Sequence, residues 1–108
     1  MSKWYWRDGS LAVDMQKPDW EKNMRELEKK LGDSDYKRVA LDEFSGYRVS
    51  TVWLGLDHNF LESAKPLIFE TMVFKGSGWG ELDMERYSTE AEAIKGHKKM
   101  VRKWKQKV

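Results

Sequence analysis

The sequence contains no cysteine, so neither a disulfide nor a thiolate metal site can form. Only two of its 108 residues are histidine, and it has no P-loop, dinucleotide-binding fingerprint, nucleophile elbow or HExxH motif. The sequence therefore lacks the residues that most known catalytic sites require, and we favour a binding protein without cofactor or metal over an enzyme. No apolar run approaches the roughly 20 residues that cross a bilayer, and the N-terminus does not resemble a signal peptide. We expect a cytoplasmic protein with no membrane partner.

Charge is unevenly distributed along the chain, although its net value is only +2. Residues 88–108 carry seven basic and two acidic side chains, a local charge of +5, which leaves −3 on the rest. The apolar fraction of 40% and the charged fraction of 35% are typical of a small core beneath a charged surface. We therefore predict a single domain over 1–108, with a mildly acidic body and a basic C-terminal element.

Short β-prone runs separated by turn residues predict most of the fold. Asp8-Gly9 and Ser45-Gly46 each lie between two such runs and indicate hairpins. Strands are predicted at 37–44, 47–56, 67–74 and 81–87. Short connections make neighbouring strands antiparallel. The predicted order is ββ-α-ββββ-α, an α+β domain in which an antiparallel meander sheet has two helices packed on one face.

Apolar residues at helical spacing predict the first helix over 18–31, with one stripe that runs from Trp20 to Leu31. Gly32 is expected to end this helix in the left-handed conformation.

The second helix begins after Thr89, which forms a capping box with Glu92. Gly96 lies inside this helix, where glycine costs about 1 kcal/mol relative to alanine. We therefore expect another part of the chain to pack closely against Gly96.

Both faces of the two central strands carry apolar residues, which is more apolar surface than two short helices cover. Either the sheet curves strongly and its back is covered, or one face meets another chain. On the second hypothesis the protein binds a partner protein or forms a homodimer. The predicted contacts are Tyr47, Trp53, Phe69 and Trp79. Trp79 lies between two glycines at a turn, where it is either an accessible binding anchor or folds back over the edge of the sheet.

Four polar residues are candidates for an acid–base or metal site: Asp57, His58, Glu70 and His97. Each also has a simpler interpretation. Asp57 is expected to cap a turn beside a solvated His58, and His97 to be a hydrogen-bonded core residue. Glu70 interrupts an apolar strand, and Arg48 on the neighbouring strand is its expected ion-pair partner. We favour these structural roles over a catalytic one.

The basic residues of the second helix support another hypothesis, binding to nucleic-acid phosphates. The candidate contacts are Lys98, Lys99, Arg102, Lys103 and Lys105. Exposed tryptophan or tyrosine would add base stacking. The low net charge and the lack of a known nucleic-acid-binding motif favour protein binding instead.

Several strings are similar to those of a family of small uncharacterised proteins encoded by bacteriophages, prophages and some bacteria. They are TVWLGLDHNF from Thr51, PLIFETMVF from Pro66, RYSTEAEA from Arg86, and the pair Gly96-His97. The resemblance covers roughly residues 35–101. It implies an origin in a phage or mobile element and a setting in the host-cell cytoplasm, where a bound partner would be a host protein. It implies no particular activity.

Overall fold

The structure is a computed structural model that describes residues 3–59, 65–78 and 80–107. Its elements are α1 (Trp20–Leu31), α2 (Ser34–Lys37), β1 (Arg38–Phe44), β2 (Tyr47–Trp53), β3 (Phe69–Lys75), β4 (Asp83–Tyr87) and α3 (Glu90–Lys105). The strands form one antiparallel sheet in the order β1-β2-β3-β4. The predicted α+β class, with a meander sheet and helices packed on it, is confirmed. None of these helices is long and apolar enough to cross a membrane.

The N-terminal segment differs from the predicted pair of strands. A turn does form at Asp8-Gly9, where Gly9 has a positive φ of 94°. The flanking residues, however, make only isolated bridges, Tyr5 with Leu11 and Trp4 with Leu56. Some backbone hydrogen bonds of this segment are made within it, and others are made with residues 55–57, which follow β2. No regular strand ladder therefore forms. The structure also contains one short helix that was not predicted, α2, which has four residues.

The turn between β1 and β2 determines which side chains share a face of the sheet. Ser45 and Gly46 have positive φ angles of 50° and 82°, as a two-residue type I′ hairpin requires. The resulting register places Thr51 between Ala40 of β1 and Thr71 of β3. Because side chains alternate along a strand, this register assigns every sheet residue to one of two faces.

One face of the sheet, here called the helix-covered face, carries the core. The helix α3 packs against all four strands on this face. Trp53 and Phe69 are fully buried here, in one cluster with Leu27 of α1 and Ala93 of α3. A second cluster, further along α3, consists of Val49, Val73 and Met100. Removing these apolar side chains from water is the main favourable contribution to folding.

The helix ends follow local sequence signals to different extents. The N-cap half of the predicted capping box is confirmed at α3, because the Thr89 hydroxyl accepts a hydrogen bond of 3.1 Å from the backbone N–H of Glu92. The Glu92 carboxylate accepts from the Thr89 hydroxyl at 3.0 Å. The left-handed end predicted for α1 is wrong, since Gly32 has a φ of −81°. The chain continues from Gly32 directly into α2, whose N-cap is Asp33, and the abrupt reversal that favours a left-handed residue does not occur.

The C-terminal half of α3 is attached to β4 through Asp83. Its carboxylate accepts hydrogen bonds from Lys103 Nζ at 2.6 Å and from Trp104 Nε1 at 3.0 Å. The hydrogen bond from Lys103 is the largest of the causes that lower the pKa of Asp83 below the ordinary value of 3.8. The ionised carboxylate therefore stabilises the folded state above that value, and the stabilisation is lost as the pH falls through the lower folded-state pKa.

We expect Asp83→Asn to be less stable than wild type near pH 6 and to approach wild-type stability near pH 2. Urea denaturation at both pH values measures the difference. Lys103→Gln removes the largest cause of the lowered pKa and should reduce the pH dependence. An equal difference between wild type and Asp83→Asn at both pH values would contradict the assignment.

Candidate binding surfaces

His97 lies at the centre of a hydrogen-bonded network that joins α3 to three strands and is buried except at Asp42, whose side chain is 52% exposed. Its Nε2 is 2.7 Å from Asp42 Oδ2, and its Nδ1 is 2.7 Å from Thr51 Oγ1. Thr51 Oγ1 is in turn 2.5 Å from Thr71 Oγ1. A carboxylate at Nε2 selects the tautomer with its hydrogen on Nε2, so that Nδ1 accepts the Thr51 hydroxyl hydrogen.

Asp42, His97 and Thr51 are an acid, a histidine and a hydroxyl in hydrogen-bonded order, as in a hydrolytic triad. A substrate cannot reach the hydroxyl groups in this structure, however, which excludes such chemistry. Thr51 and Thr71 are both 0% exposed beneath α3, and a nucleophile must reach its substrate. The network therefore acts as a structural crosslink. This outcome agrees with the simpler interpretation of His97 as a hydrogen-bonded core residue.

Asp57 and His58 close a loop after β2. Asp57 Oδ1 accepts hydrogen bonds from the backbone N–H groups of Asn59 and Leu67, at 2.8 and 2.9 Å. The backbone N–H of His58 donates to the Leu67 carbonyl at 3.0 Å. Asp57 thus caps a turn, as its simpler interpretation predicts.

The structure does not bring these loop residues together with His97. The Nε2 atom of His97 contacts Asp42 instead, and its Nδ1 atom contacts Thr51. Within residues 3–59, 65–78 and 80–107 no group of three or more acidic, histidine or cysteine side chains is positioned to hold a metal ion.

Glu70 forms an ion pair, but its predicted partner is wrong. Glu70 Oε2 lies 2.9 Å from Nε of Arg86, with the Glu70 side chain only 8% exposed. The register places Arg86 directly opposite Glu70, whereas Arg48 lies opposite Phe74. The guanidinium of Arg48 instead lies 4.8 Å from the centroid of the Phe74 ring.

Two of the predicted partner contacts are wrong because they point towards the helices. Trp53 and Phe69 are 0% exposed on the helix-covered face and cannot contact another chain. Tyr47 is half-buried beside Trp104, with ring centroids 5.5 Å apart. Trp79 lies outside the described residues.

The opposite side of the sheet, here called the open face, has no helix of the described chain packed on it. Its central row crosses all four strands and consists of Leu41, Ser50, Met72 and Met84. Leu41 and Met84, at the two ends of this row, are 36% and 40% exposed. The flanking rows contain Glu43 with Arg48 and Glu70 with Arg86. The open face therefore combines an apolar centre with charges of both signs.

The predicted nucleic-acid contacts lie on α3 but differ in their surroundings. Lys98, Lys99 and Arg102 are exposed on the helix. Lys103 is bonded to Asp83, and Nζ of Lys105 lies 5.5 Å from the centroid of the Phe44 ring. The aromatic surroundings of Lys105 were not predicted, although Phe44 and Tyr47 flank the Ser45-Gly46 turn and a type I′ hairpin places such residues opposite each other.

An open cleft of about 490 Å³ lies between the N-terminal segment and the start of α3. Arg7 lines this cleft, where its side chain pairs with Glu90 and donates from Nη1 to the Tyr36 carbonyl at 2.6 Å. Since these contacts join the N-terminal segment to both α2 and α3, we interpret Arg7 as a structural clasp. Comparisons with protein-family models, with curated proteins and with solved structures found no match to the chain.

Proposed function

We propose that this chain is a small accessory protein of a phage or mobile element that works by binding, and that its open face pairs with the open face of a second copy. The row from Leu41 to Met84, in which Leu41, Met72 and Met84 are apolar and at least partly exposed, is the observation that carries the proposal. The phage origin is supported by the sequence resemblance alone. An apolar row across a whole sheet is costly to leave in water, and sheet-on-sheet packing is a common way to bury it.

The charges around the row favour a second copy as the occupant. Both flanking rows carry charges of both signs, Glu43 with Arg48 in one row and Glu70 with Arg86 and Arg38 in the other. The face is therefore close to neutral, and a two-fold related copy meets no surface of uniform like charge. A strongly acidic or strongly basic partner would gain little electrostatic attraction from a face that carries both signs of charge.

The size of the face sets the expected strength of the dimer. Four strands about 4.8 Å apart, with five residues rising about 3.3 Å each, give roughly 19 by 17 Å. Because side chains make each face uneven, two copies would together bury on the order of 1,000 Å² of accessible surface, which is the lower limit for a specific interface. We therefore expect a dimer with micromolar affinity that dissociates on dilution.

Met84→Glu should abolish this dimer without unfolding the protein, because Met84 is 40% exposed in the single chain and a carboxylate there would be desolvated only in the dimer. Sedimentation velocity between about 5 and 300 µM measures the monomer–dimer equilibrium. Ile94→Glu is the matched control, since Ile94 on α3 is also 40% exposed but lies away from the open face.

We expect wild type and Ile94→Glu to shift towards dimer over this range, and Met84→Glu to remain monomeric. Wild type that stays monomeric at the highest concentration would overturn the proposal. Equal loss of dimer in the two variants would place the interface elsewhere.

A further inference from the structure

Three aromatic rings close the end of the molecule where β1 turns into β2 and α3 ends; we call this the aromatic end. They belong to Phe44, Tyr47 and Trp104, and their centroids are 6.4 Å apart for Phe44–Tyr47 and 5.5 Å apart for Tyr47–Trp104. All three are half-buried and pack against the second core cluster. Each ring therefore contacts the core and retains some exposure to solvent.

Each ring of the aromatic end also carries a lysine ammonium. Nζ of Lys105 lies 5.5 Å from the Phe44 centroid, that of Lys75 lies 5.7 Å from Tyr47, and that of Lys107 lies 5.2 Å from Trp104. All three lysines are exposed, and their side chains are long and flexible. A cation–π contact at an exposed site is weaker than the stacking of a nucleic-acid base on the same ring. A base could therefore displace the ammonium from the ring while the lysine remains beside the phosphate.

None of these three lysines forms an ion pair with a described carboxylate, although Asp83 accepts a hydrogen bond from the indole N–H of Trp104. The ion pairs found in the described part of the chain do not include Lys75, Lys105 or Lys107, whereas Lys103 is paired with Asp83. The exposed side chains of Lys98, Lys99 and Arg102 extend the positive surface along α3. The aromatic end thus combines the basic C-terminal part of α3 with Phe44, Tyr47 and Lys75 from the otherwise mildly acidic body.

We propose that the aromatic end binds single-stranded nucleic acid, with bases stacked on the three rings and phosphates held by the lysines around them. Half-exposed rings set among unpaired cations are the arrangement by which proteins bind single strands with little sequence preference. Duplex nucleic acid fits less well, because its bases are already stacked on one another. The aromatic end lies on the helix-covered side of the sheet, and its occupation does not require the dimer.

The first test measures fluorescence anisotropy of labelled 20-nucleotide oligo(dT) and oligo(U) at about 50 mM and 200 mM salt. We expect binding that weakens steeply with salt, and at least tenfold weaker binding by the double variant Lys105→Gln/Lys107→Gln. The charge-matched control is Lys22→Gln/Lys29→Gln, two exposed lysines of α1, which should bind within about twofold of wild type. Absence of binding at the lower salt, or equal losses in both double variants, would overturn the proposal.

The second test separates stacking from general attraction to anions. Tyr47→Leu keeps an apolar side chain against Trp104 but removes a stacking surface, and should weaken binding of single strands about five- to thirtyfold. Phe74→Leu is the matched control, since Phe74 is also half-buried beneath a cation, Arg48, but lies on the open face. Circular dichroism confirms that both variants are folded.

Equal affinity of wild type for oligo(dT), duplex DNA and poly-glutamate, with no effect of Tyr47→Leu, would show that the rings only close the core and would reject the proposal. Preference for the single strand that is lost in Tyr47→Leu and retained in Phe74→Leu would establish it. Neither result depends on whether the open face forms a dimer, so the two proposals fail separately.

Discussion

Gly96→Ala is expected to lower the free energy of unfolding by about 3 kcal/mol, although alanine is the better helix former by about 1 kcal/mol. A Cβ added at Gly96 would lie 2.2 Å from both Cε1 and Oη of Tyr87. Tyr87 is buried on the helix-covered face, and burial is the largest cause that raises the pKa of its phenol above the ordinary value of 10.0. Either the ring or α3 must move, and each movement opens the packing between α3 and the sheet.

Urea denaturation measures this loss, and Gly32→Ala provides the matched control. Gly32 has a right-handed φ of −81°, and its nearest contact to an added Cβ is 3.4 Å. Alanine should be accommodated there with little change or a gain of up to about 1 kcal/mol. Combining Gly96→Ala with Tyr87→Leu should cost less than the sum of the two single changes, because the clash needs both partners. Stabilisation by Gly96→Ala would show that Tyr87 is not packed against α3 as described.

Thr51→Val is expected to destabilise the protein by about 2 kcal/mol, although valine has nearly the same shape. The change removes the hydroxyl that contacts both His97 Nδ1 and Thr71 Oγ1. Both of these polar groups are buried and would lose a hydrogen bond without access to water. An unsatisfied buried polar group costs about 1–3 kcal/mol, more than the hydrogen bond contributes when it is made.

A double-mutant cycle with His97→Leu tests whether the network acts as a unit. The double variant should be about 1 kcal/mol more stable than the sum of the single changes predicts, since the loss of both partners leaves fewer unsatisfied groups. Ser50→Ala, a hydroxyl removed from the neighbouring position on the open face, should change stability by less than about 0.5 kcal/mol. Additive effects in the cycle would contradict a direct Thr51–His97 contact.

Features encoded by local patterns were predicted well from the sequence. The N-cap at Thr89, the hairpin at Ser45-Gly46 and the meander of four strands all depend on residues close together in the chain. The close packing at Gly96 was also predicted, because a glycine inside a helix needs a compensating reason. Its partner Tyr87 was not identified, since that contact depends on how α3 crosses β4.

Features that depend on long-range register were predicted poorly. Glu70 was matched with Arg48 rather than Arg86, because two strands can pair in several registers and the pattern of apolar residues does not select among them. For the same reason His97 could not be connected to Asp42 and Thr51, which lie 55 and 46 residues away.

The amino-acid order of this protein specifies its helices, its turns and the antiparallel succession of its strands, since these arise from interactions over a few residues. The choice between the two sides of the sheet required the packed molecule. Residues of β2 and β3 are apolar on both sides, so their alternation could not show that α3 would cover Trp53 and Phe69 and that the open face would remain without a helix. Similarly, Phe44, Tyr47 and Trp104 form one surface only because α3 ends above the hairpin that joins β1 to β2.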